Sequence, residues 1–452
     1  MAPSRDSLAA SPAATPCDSA SLSSSIVFLD NGAGDIKCAR VPSDHFSAED
    51  IREAVGAAVR IPNAACRPRV EVPGVPRRAG NVMYGSELRS CRDFSEMSFS
   101  RPHQRGYVCS WGLELDIWSH LLNNEQAVDA QGTHRNAIIT TAPCFNPGHM
   151  IHAESELVFE YLGFQRYVQL TSQAMPAFAA STSSHACVVL DTGFSFSHAV
   201  PVIDGRVIWR AVRRLDLGGK ALTNQLKEII SFRAYNMMRD TAVVNAIKER
   251  VCRVSPHYLA EIALENKKPR SRRYTPTPDY MLPDATTGYK DPLGFVIDPA
   301  NVPTLDPTAQ TLALTNEKIF IPELLFSPSD IGLGQAGVAE LVCQAVEACS
   351  AHLPPDEAMR LRALLYGNVQ VVGGNSLFPG FVKRLLADMR PLVPAEIKLQ
   401  VLRAPDPQLA ALEGSMFFTQ QWMESGRPLF VSKAEYDEFG PNVCYSRFQS
   451  LA

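Results

Sequence analysis

Residues 26–34 read IVFLDNGAG, a short apolar run that ends in an aspartate and a glycine-bearing turn. Four consecutive apolar residues followed by such a turn predict a buried strand that ends in a tight turn. A second copy, residues 186–193, reads ACVVLDTG, and a third strand-to-glycine pattern, residues 369–374, reads VQVVGG. The recurrence of strand, aspartate and glycine turn predicts an internal duplication.

Length and composition exclude several classes of protein. The chain has 452 residues, of which 46% are hydrophobic and 20% charged, so it can bury a large core and is not wholly disordered. Its 47 acidic and 43 basic residues leave a net charge of −4, so any contact with nucleic acid would be local. None of the 11 cysteines forms a Cys-x-x-Cys pair, which favours a reducing compartment. No apolar run is long enough to cross a bilayer, so we expect no membrane contact.

The amino-acid composition of the chain changes after residue 24. Residues 1–24 are mostly serine, alanine and proline, and we expect a disordered tail there. Further on, apolar residues recur at intervals of three or four within 113–122, 153–162 and 338–349, which predicts helices. Strands and helices therefore alternate in both halves, as in α/β proteins.

Two proline-rich stretches interrupt this alternation. Residues 62–80 and 266–307 are predicted to be exposed loops or inserts. The second stretch contains the basic run 267–273, with five cations in seven residues. This run fits a solvated loop, a nuclear-import signal, or a contact with DNA or an acidic partner, and the sequence leaves these readings open.

Two strand-Asp-x-Gly turns that face each other could hold a phosphate-bearing ligand. Glycine lets backbone N–H groups approach a phosphate without a β-carbon in the way, and an aspartate at a strand end can hold hydrated magnesium. Simple hairpins would give the same pattern, so both interpretations stay open at this point.

Seven segments, taken in order, resemble the actin superfamily: residues 26–37, 191–201, 214–220, 247–252, 322–329, 373–380 and 432–438. Several details, such as Gly218-Gly219-Lys220 and residues 326–332, are more similar to a subfamily of actin-related proteins than to actin itself. The resemblance implies an α/β fold of the actin-like (ribonuclease H-like ATPase) class, with two duplicated lobes around a nucleotide cleft. Residues 25–181 and 410–452 would form the large lobe (subdomains 1 and 2), and 182–409 the second lobe (subdomains 3 and 4), with an insert at 266–307.

The resemblance also assigns residues to a cleft that would bind ATP or ADP with Mg²⁺. Asp30 and Asp191 would hold magnesium through water, and Gln173 and His198 are candidates for positioning an attacking water. The residues that would contact the nucleotide are Gly32, Ala33, Gly34, Lys37, Gly193, Ser195, Lys248, Glu249, Gly373, Gly374 and Phe378.

Three departures from actin weaken this site. Ala33 replaces a serine and removes a hydroxyl donor, and Phe194 replaces an aspartate with an apolar ring. The stretch around Pro407 and Gln408 lacks the cation that actin has there. We therefore expect weakened nucleotide binding and a chain that is not an enzyme, with residual ATP hydrolysis left open.

The resemblance implies a function in the nucleus, with a cytoplasmic pool left open. The expected role is that of a non-catalytic scaffold subunit in an ATP-dependent chromatin-remodelling complex that exchanges a variant histone into nucleosomes. Its partners would be other subunits of that complex, with indirect contact to the nucleosome. The alternative is an actin-like ATPase of the cytoskeleton. Residues 66–80 carry prolines and arginines instead of an apolar loop tip, so we do not expect a homopolymer.

Overall fold

The computed structural model describes residues 25–42, 46–68, 82–89, 97–125, 136–179, 186–267, 278–283, 291–298, 300, 308–449 and 451. The predicted tail at 1–24 lies outside these residues, as does most of the basic run 267–273. Within the described ranges, no helix has the length and apolar character needed to cross a bilayer.

The strands are β1 (Ser25–Asn31), β2 (Asp35–Pro42), β3 (Val59–Pro62), β4 (Ala65–Pro68), β5 (Met97–Ser100), β6 (His103–Gln104), β7 (Tyr107–Val108), β8 (Ala137–Ala142), β9 (Arg166–Thr171), β10 (Ala186–Thr192), β11 (Ser197–Ile203), β12 (Arg206–Val207), β13 (Arg213–Leu215), β14 (Tyr280–Met281), β15 (Phe295–Val296), β16 (Thr311–Leu312), β17 (Val369–Val372), β18 (Val401–Arg403) and β19 (Val431–Ser432).

The α-helices are α1 (Ala48–Gly56), α2 (Ser86–Arg89), α3 (Trp111–His120), α4 (Gly148–Glu156), α5 (Gly219–Arg233), α6 (Thr241–Val251), α7 (Tyr258–Lys267), α8 (Glu317–Glu323), α9 (Val338–Ser350), α10 (Pro355–Tyr366), α11 (Phe381–Met389), α12 (Ala410–Glu424), α13 (Lys433–Phe439) and α14 (Asn442–Gln449). Single π-helical turns continue α3 and α4. The predicted helical stripes lie on α3, α4 and α9 and their continuations, as expected.

Two large sheets share one topology. The first has the order β19-β9-β8-β1-β2-β3, and the second has the order β12-β11-β10-β17-β18. In each, a central strand pairs antiparallel with the strand that follows it in sequence and parallel with a later strand: β1 with β2 and β8, β10 with β11 and β17. The matching topologies confirm the predicted α/β fold and its duplication. The residue boundaries of the two predicted lobes stay a prediction.

The second sheet separates two hydrophobic cores. Along β10, Cys187 and Val189 point into the core that also contains the first sheet, whereas Val188 and Leu190 point into a second core. This alternation follows from the two-residue period of a strand, and it explains why β10 is apolar on both faces. The aspartates at the ends of β1 and β10 thus project from fixed, buried strands.

The described parts of the two proline-rich stretches contain strands and buried residues. Residues 62–80 were expected to be an exposed loop, but Pro62 ends β3, and buried Cys66 lies on β4, which pairs with β5. In the predicted insert 266–307, Tyr280 and Met281 are buried on β14, the central strand of a three-stranded sheet. The expectation was wrong for these residues because proline frequency does not register the apolar side chains placed between the prolines.

We predict that Gly414→Ala destabilises the fold. Gly414 lies on α12, where an added β-carbon would be 1.9 Å from the carbonyl oxygen of Met175. We expect a loss of about 3 kcal/mol in the free energy of unfolding, measured by urea denaturation. Gly112→Ala is the matched control, because Gly112 lies on α3 in open space and its replacement should stabilise by up to about 1 kcal/mol. Equal stability of the two variants would contradict the close packing of α12.

Candidate nucleotide site

The turns that follow β1, β10 and β17 open onto one cavity of about 370 Å³. The turns after β1 and β10 do connect antiparallel hairpins and also share this cavity, while phosphate binding there stays a prediction. Every residue that the sequence assigned to nucleotide contact lines this cavity, together with both aspartates and Gln173. These lining residues are Asp30, Gly32, Ala33, Gly34, Lys37, Gln173, Asp191, Gly193, Ser195, Lys248, Glu249, Gly373, Gly374 and Phe378.

Two glycines of these turns are closely packed. A β-carbon on Gly34 would lie 3.0 Å from the ring of Phe194, so the first and second turns are in direct contact. A β-carbon on Gly373 would lie 2.4 Å from the carbonyl oxygen of Thr192, and its φ of +87° favours glycine. The main chain at these turns is therefore exposed to whatever occupies the cavity.

Asn63 and Arg101 hold the first turn in place. The Asn63 backbone N–H donates to the Gly34 carbonyl at 2.9 Å, and its side-chain Nδ2 donates to the Gly32 carbonyl at 3.1 Å. Arg101 Nη1 donates to the same Gly34 carbonyl at 2.9 Å. Neither residue is predicted as part of the site from the sequence, because each lies outside the glycine motifs and has no local sequence signal.

Lys37 and Asp30 form an ion pair inside the cavity. Lys37 Nζ lies 2.8 Å from Asp30 Oδ2, and Asp30 Oδ1 accepts a hydrogen bond from Thr141 Oγ1 at 2.6 Å. Burial lowers the pKa of Lys37, but the adjacent Asp30 carboxylate more than offsets this, so the pKa is raised overall. The predicted phosphate-contacting lysine is thus charged and paired with a predicted magnesium ligand.

Asp191 and Gln173 are joined by a hydrogen bond in the lining of the cavity. Gln173 Nε2 donates to Asp191 Oδ2 at 3.3 Å, and Gln173 Oε1 accepts from the Cys144 N–H at 2.8 Å. Burial raises the pKa of Asp191 to about 6, partly offset by the bond from Gln173. No cluster of three or more His, Cys, Asp or Glu side chains suited to a metal occurs among the described residues. Magnesium held through water by the two aspartates therefore stays a prediction.

Lys248 and Glu249 line the side of the cavity formed by α6. Lys248 Nζ donates to the Gly219 carbonyl at 3.1 Å and to Thr223 Oγ1 and Asn245 Oδ1, each at 2.9 Å. Glu249 accepts from Asn245 Nδ2 at 2.8 Å. Burial lowers the pKa of Lys248 to about 8. Both residues line the cavity, and their contact with the nucleoside stays a prediction.

Arg60 on β3 brings a positive charge next to Gln408. Arg60 Nη1 donates to Gln408 Oε1, and Arg60 Nε donates to Asp35 Oδ2 at 2.9 Å. The stretch of sequence around Gln408 does lack a cation of its own. Arg60, far away in sequence, supplies the positive charge next to it.

His198 is not among the residues that line the cavity. It lies opposite Asp191 in the β10–β11 register and is fully buried, with the Phe196 ring packed edge-on at 4.7 Å. Burial lowers the pKa of His198 to about 3, and neither ring nitrogen has a hydrogen-bond partner within the described structure. A water-positioning role for His198 stays a prediction.

A buried polar network lies next to the first turn. Glu114 on α3 is fully buried, and its Oε1 accepts from Trp118 Nε1 at 3.0 Å and from Asn63 Nδ2 at 3.4 Å. Burial raises the pKa of Glu114 to about 8 and lowers the pKa of neighbouring His103 to about 4. Both groups are therefore neutral at pH 7, and Asn63 links them to the turn.

The cavity offers the groups that a nucleotide with magnesium requires. Backbone turns without β-carbons, buried or half-buried cations and two facing aspartates suit a phosphate-bearing anion and a hydrated cation. The Phe194 ring lies against the first turn, and Ala33 offers no hydroxyl. The residues fit binding better than they fit catalysis.

The comparisons with known proteins agree with this fold. Residues 22–449 match the family described as Actin. "Actin-like protein ARP6" of Yarrowia lipolytica is 35% identical over 373 residues, which cover 82% of this chain and 90% of that protein. "Actin-related protein 6" of Drosophila melanogaster is 32% identical over 428 residues, covering 93% and 98%.

This chain belongs to the actin family. Within the family it is similar to actin-related protein 6 along most of its length, as the rice "Actin-related protein 6" also illustrates, with 32% identity over 94% of this chain and 99% of that protein. The similarity to the actin superfamily that the seven segments predicted is thereby confirmed.

We predict that Glu114→Gln changes how stability depends on pH. Between pH 4.5 and about 8 the folded protein keeps a proton on Glu114 that the unfolded chain has lost, so the contribution of Glu114 to the free energy of unfolding falls as pH rises through this range. Glutamine cannot ionise and still accepts from Trp118, so urea denaturation of the variant should show a smaller fall between pH 6 and pH 8. Glu357→Gln, at an exposed position of α10, should behave like the wild type. An unchanged pH profile for Glu114→Gln would mean that Glu114 is ionised in the fold.

Proposed function

We propose that the chain is a non-catalytic scaffold subunit of a nuclear, ATP-dependent chromatin-remodelling complex that exchanges a variant histone into nucleosomes. The similarity to actin-related protein 6 over more than nine-tenths of the chain supports this assignment. The observation that carries the non-catalytic part is the contact of Phe194 with Gly34, because an apolar ring lies between the two turns where charge would have to be stabilised during hydrolysis.

The cleft in this proposal binds ATP or ADP with Mg²⁺ as a structural ligand. A ligand that binds only the folded state stabilises it by mass action, so it can support a scaffold without being hydrolysed. Lys248 and Glu249 would flank the nucleoside, while the glycine turns and Lys37 would face the phosphates. Asp30 and Asp191 would hold the magnesium through water.

The insert at 266–307 is the candidate surface for partner subunits. Its described part includes β14 and β15, and β15 is an edge strand of the small sheet that these strands form with β16. Phe295 and Val296 on β15 are exposed apolar residues, which add contact area to such a surface. The sheet is anchored by buried Tyr280, so it presents this edge in a fixed position.

The proposal predicts recovery of a multisubunit complex. Affinity-tagged full-length chain, purified from nuclei and analysed by mass spectrometry, should bring down histone-exchange subunits together with a separate motor ATPase. The isolated chain, incubated with Mg-ATP, should show no phosphate release above the blank and no polymer in a sedimentation assay. A lone protein that hydrolyses ATP rapidly and pellets as filaments would instead favour the cytoskeletal ATPase.

A pair of surface variants tests the partner surface. Val296→Asp should reduce the recovery of partners several-fold, because it puts a charge on the exposed edge of the insert. Leu364→Asp is the matched control, since Leu364 is similarly exposed on α10, away from the insert. Equal recovery with both variants would exclude the described part of the insert as a partner surface. Microscopy of the tagged wild type should show mainly nuclear signal.

A further inference from the structure

Arg101 is anchored to the first glycine turn by only one of its nitrogens. Its Nη1 donates to the carbonyl groups of Ala33 at 3.3 Å, Gly34 at 2.9 Å and Asn63 at 3.1 Å. Within the described part of the chain, Nε and Nη2 have no hydrogen-bond acceptor, although Arg101 lines the cavity. Several N–H donors of this side chain are therefore available to a ligand.

The ring of Phe194 packs against the Arg101 guanidinium. The central carbon of the guanidinium lies 4.8 Å from the ring centroid, a distance typical of cation–π contact. Because the ring also touches Gly34, it supports the guanidinium and the first turn together. One edge of the group is thus held by carbonyls and one face by the ring, so little side-chain entropy remains to be lost when an anion binds.

Arg101 differs from the other cations that line the described cavity. Lys37 is paired with Asp30, and Arg60 is paired with Asp35. The Nζ of Lys248 has three N–H donors and three neutral acceptors. Arg101 has no carboxylate within ion-pair distance among the described residues, so it keeps both its charge and unused donors.

We propose that Arg101 is an anion-binding residue of the cleft, and that it contacts a phosphate group of the bound nucleotide in place of the hydroxyl that is absent at Ala33. A planar guanidinium donates two parallel hydrogen bonds to phosphate, which a serine hydroxyl cannot do. Phe194 then has two effects on the site. It removes an acidic acceptor, and it orients the arginine that replaces the lost hydroxyl donor. This inference rests on the nucleotide site proposed above.

Binding of Mg-ADP and of inorganic pyrophosphate to the full-length chain, measured by calorimetry, tests this role. Arg101→Gln should weaken both probes by about 10- to 100-fold, because both carry the phosphate that Arg101 contacts. Arg101→Lys should weaken both by an intermediate factor, since it keeps the charge but cannot contact the carbonyls and a phosphate with one planar group. Arg214→Gln is the matched control: Arg214 stacks on the neighbouring Phe196 at 4.2 Å but does not line the cavity, so binding should be unchanged.

Thermal melting of each variant separates a lost contact from a lost fold. If Arg101→Gln melts well below the wild type, the Arg101→Lys variant is used to test the phosphate contact, because its ammonium can still donate to the turn carbonyls. Wild-type affinity for pyrophosphate in either Arg101 variant that remains folded overturns the proposal, as does a wild-type chain that binds neither probe. Partner recovery from nuclei is a separate measurement, so failure here and failure of the scaffold proposal can be distinguished.

Discussion

The two glycine turns at the ends of β1 and β10 touch, and a β-carbon on Gly34 would crowd the Phe194 ring at 3.0 Å. This contact is possible only because each turn is fixed by a buried central strand that pairs with neighbours on both sides. The strands determine where the aspartates point, and the turns determine how closely the main chain can approach a ligand. The lining of the cavity depends on how closely the two turns approach each other.

Duplication supplied two equivalent turns, and substitution has made them different. The first turn keeps its glycines but has Ala33 in place of a hydroxyl-bearing residue, and it is supported by Asn63 and Arg101. The second turn carries an aromatic ring at 194, which packs against its counterpart. Arg101 lies at this junction: it donates to the carbonyls of Ala33 and Gly34, and its guanidinium packs against the Phe194 ring.

The fold could be predicted from sequence because its signals are local. The apolar run 26–29 and its copy 186–190 are contiguous stretches, and their pairing follows from the family resemblance. The supporting residues could not be predicted in this way, because Arg60 and Arg101 reach the cavity only through the paths of β3 and of the segment after β5. Burial of Tyr280 in a proline-rich stretch was missed for a related reason: its packing partners are distant in sequence.

The second sheet, with one face in each core, also limits how the molecule can move. Separating the two halves as independent bodies would strip apolar side chains such as Val189 from one of the cores and expose them to water. A motion of the cleft that keeps these side chains buried must therefore leave the second sheet intact.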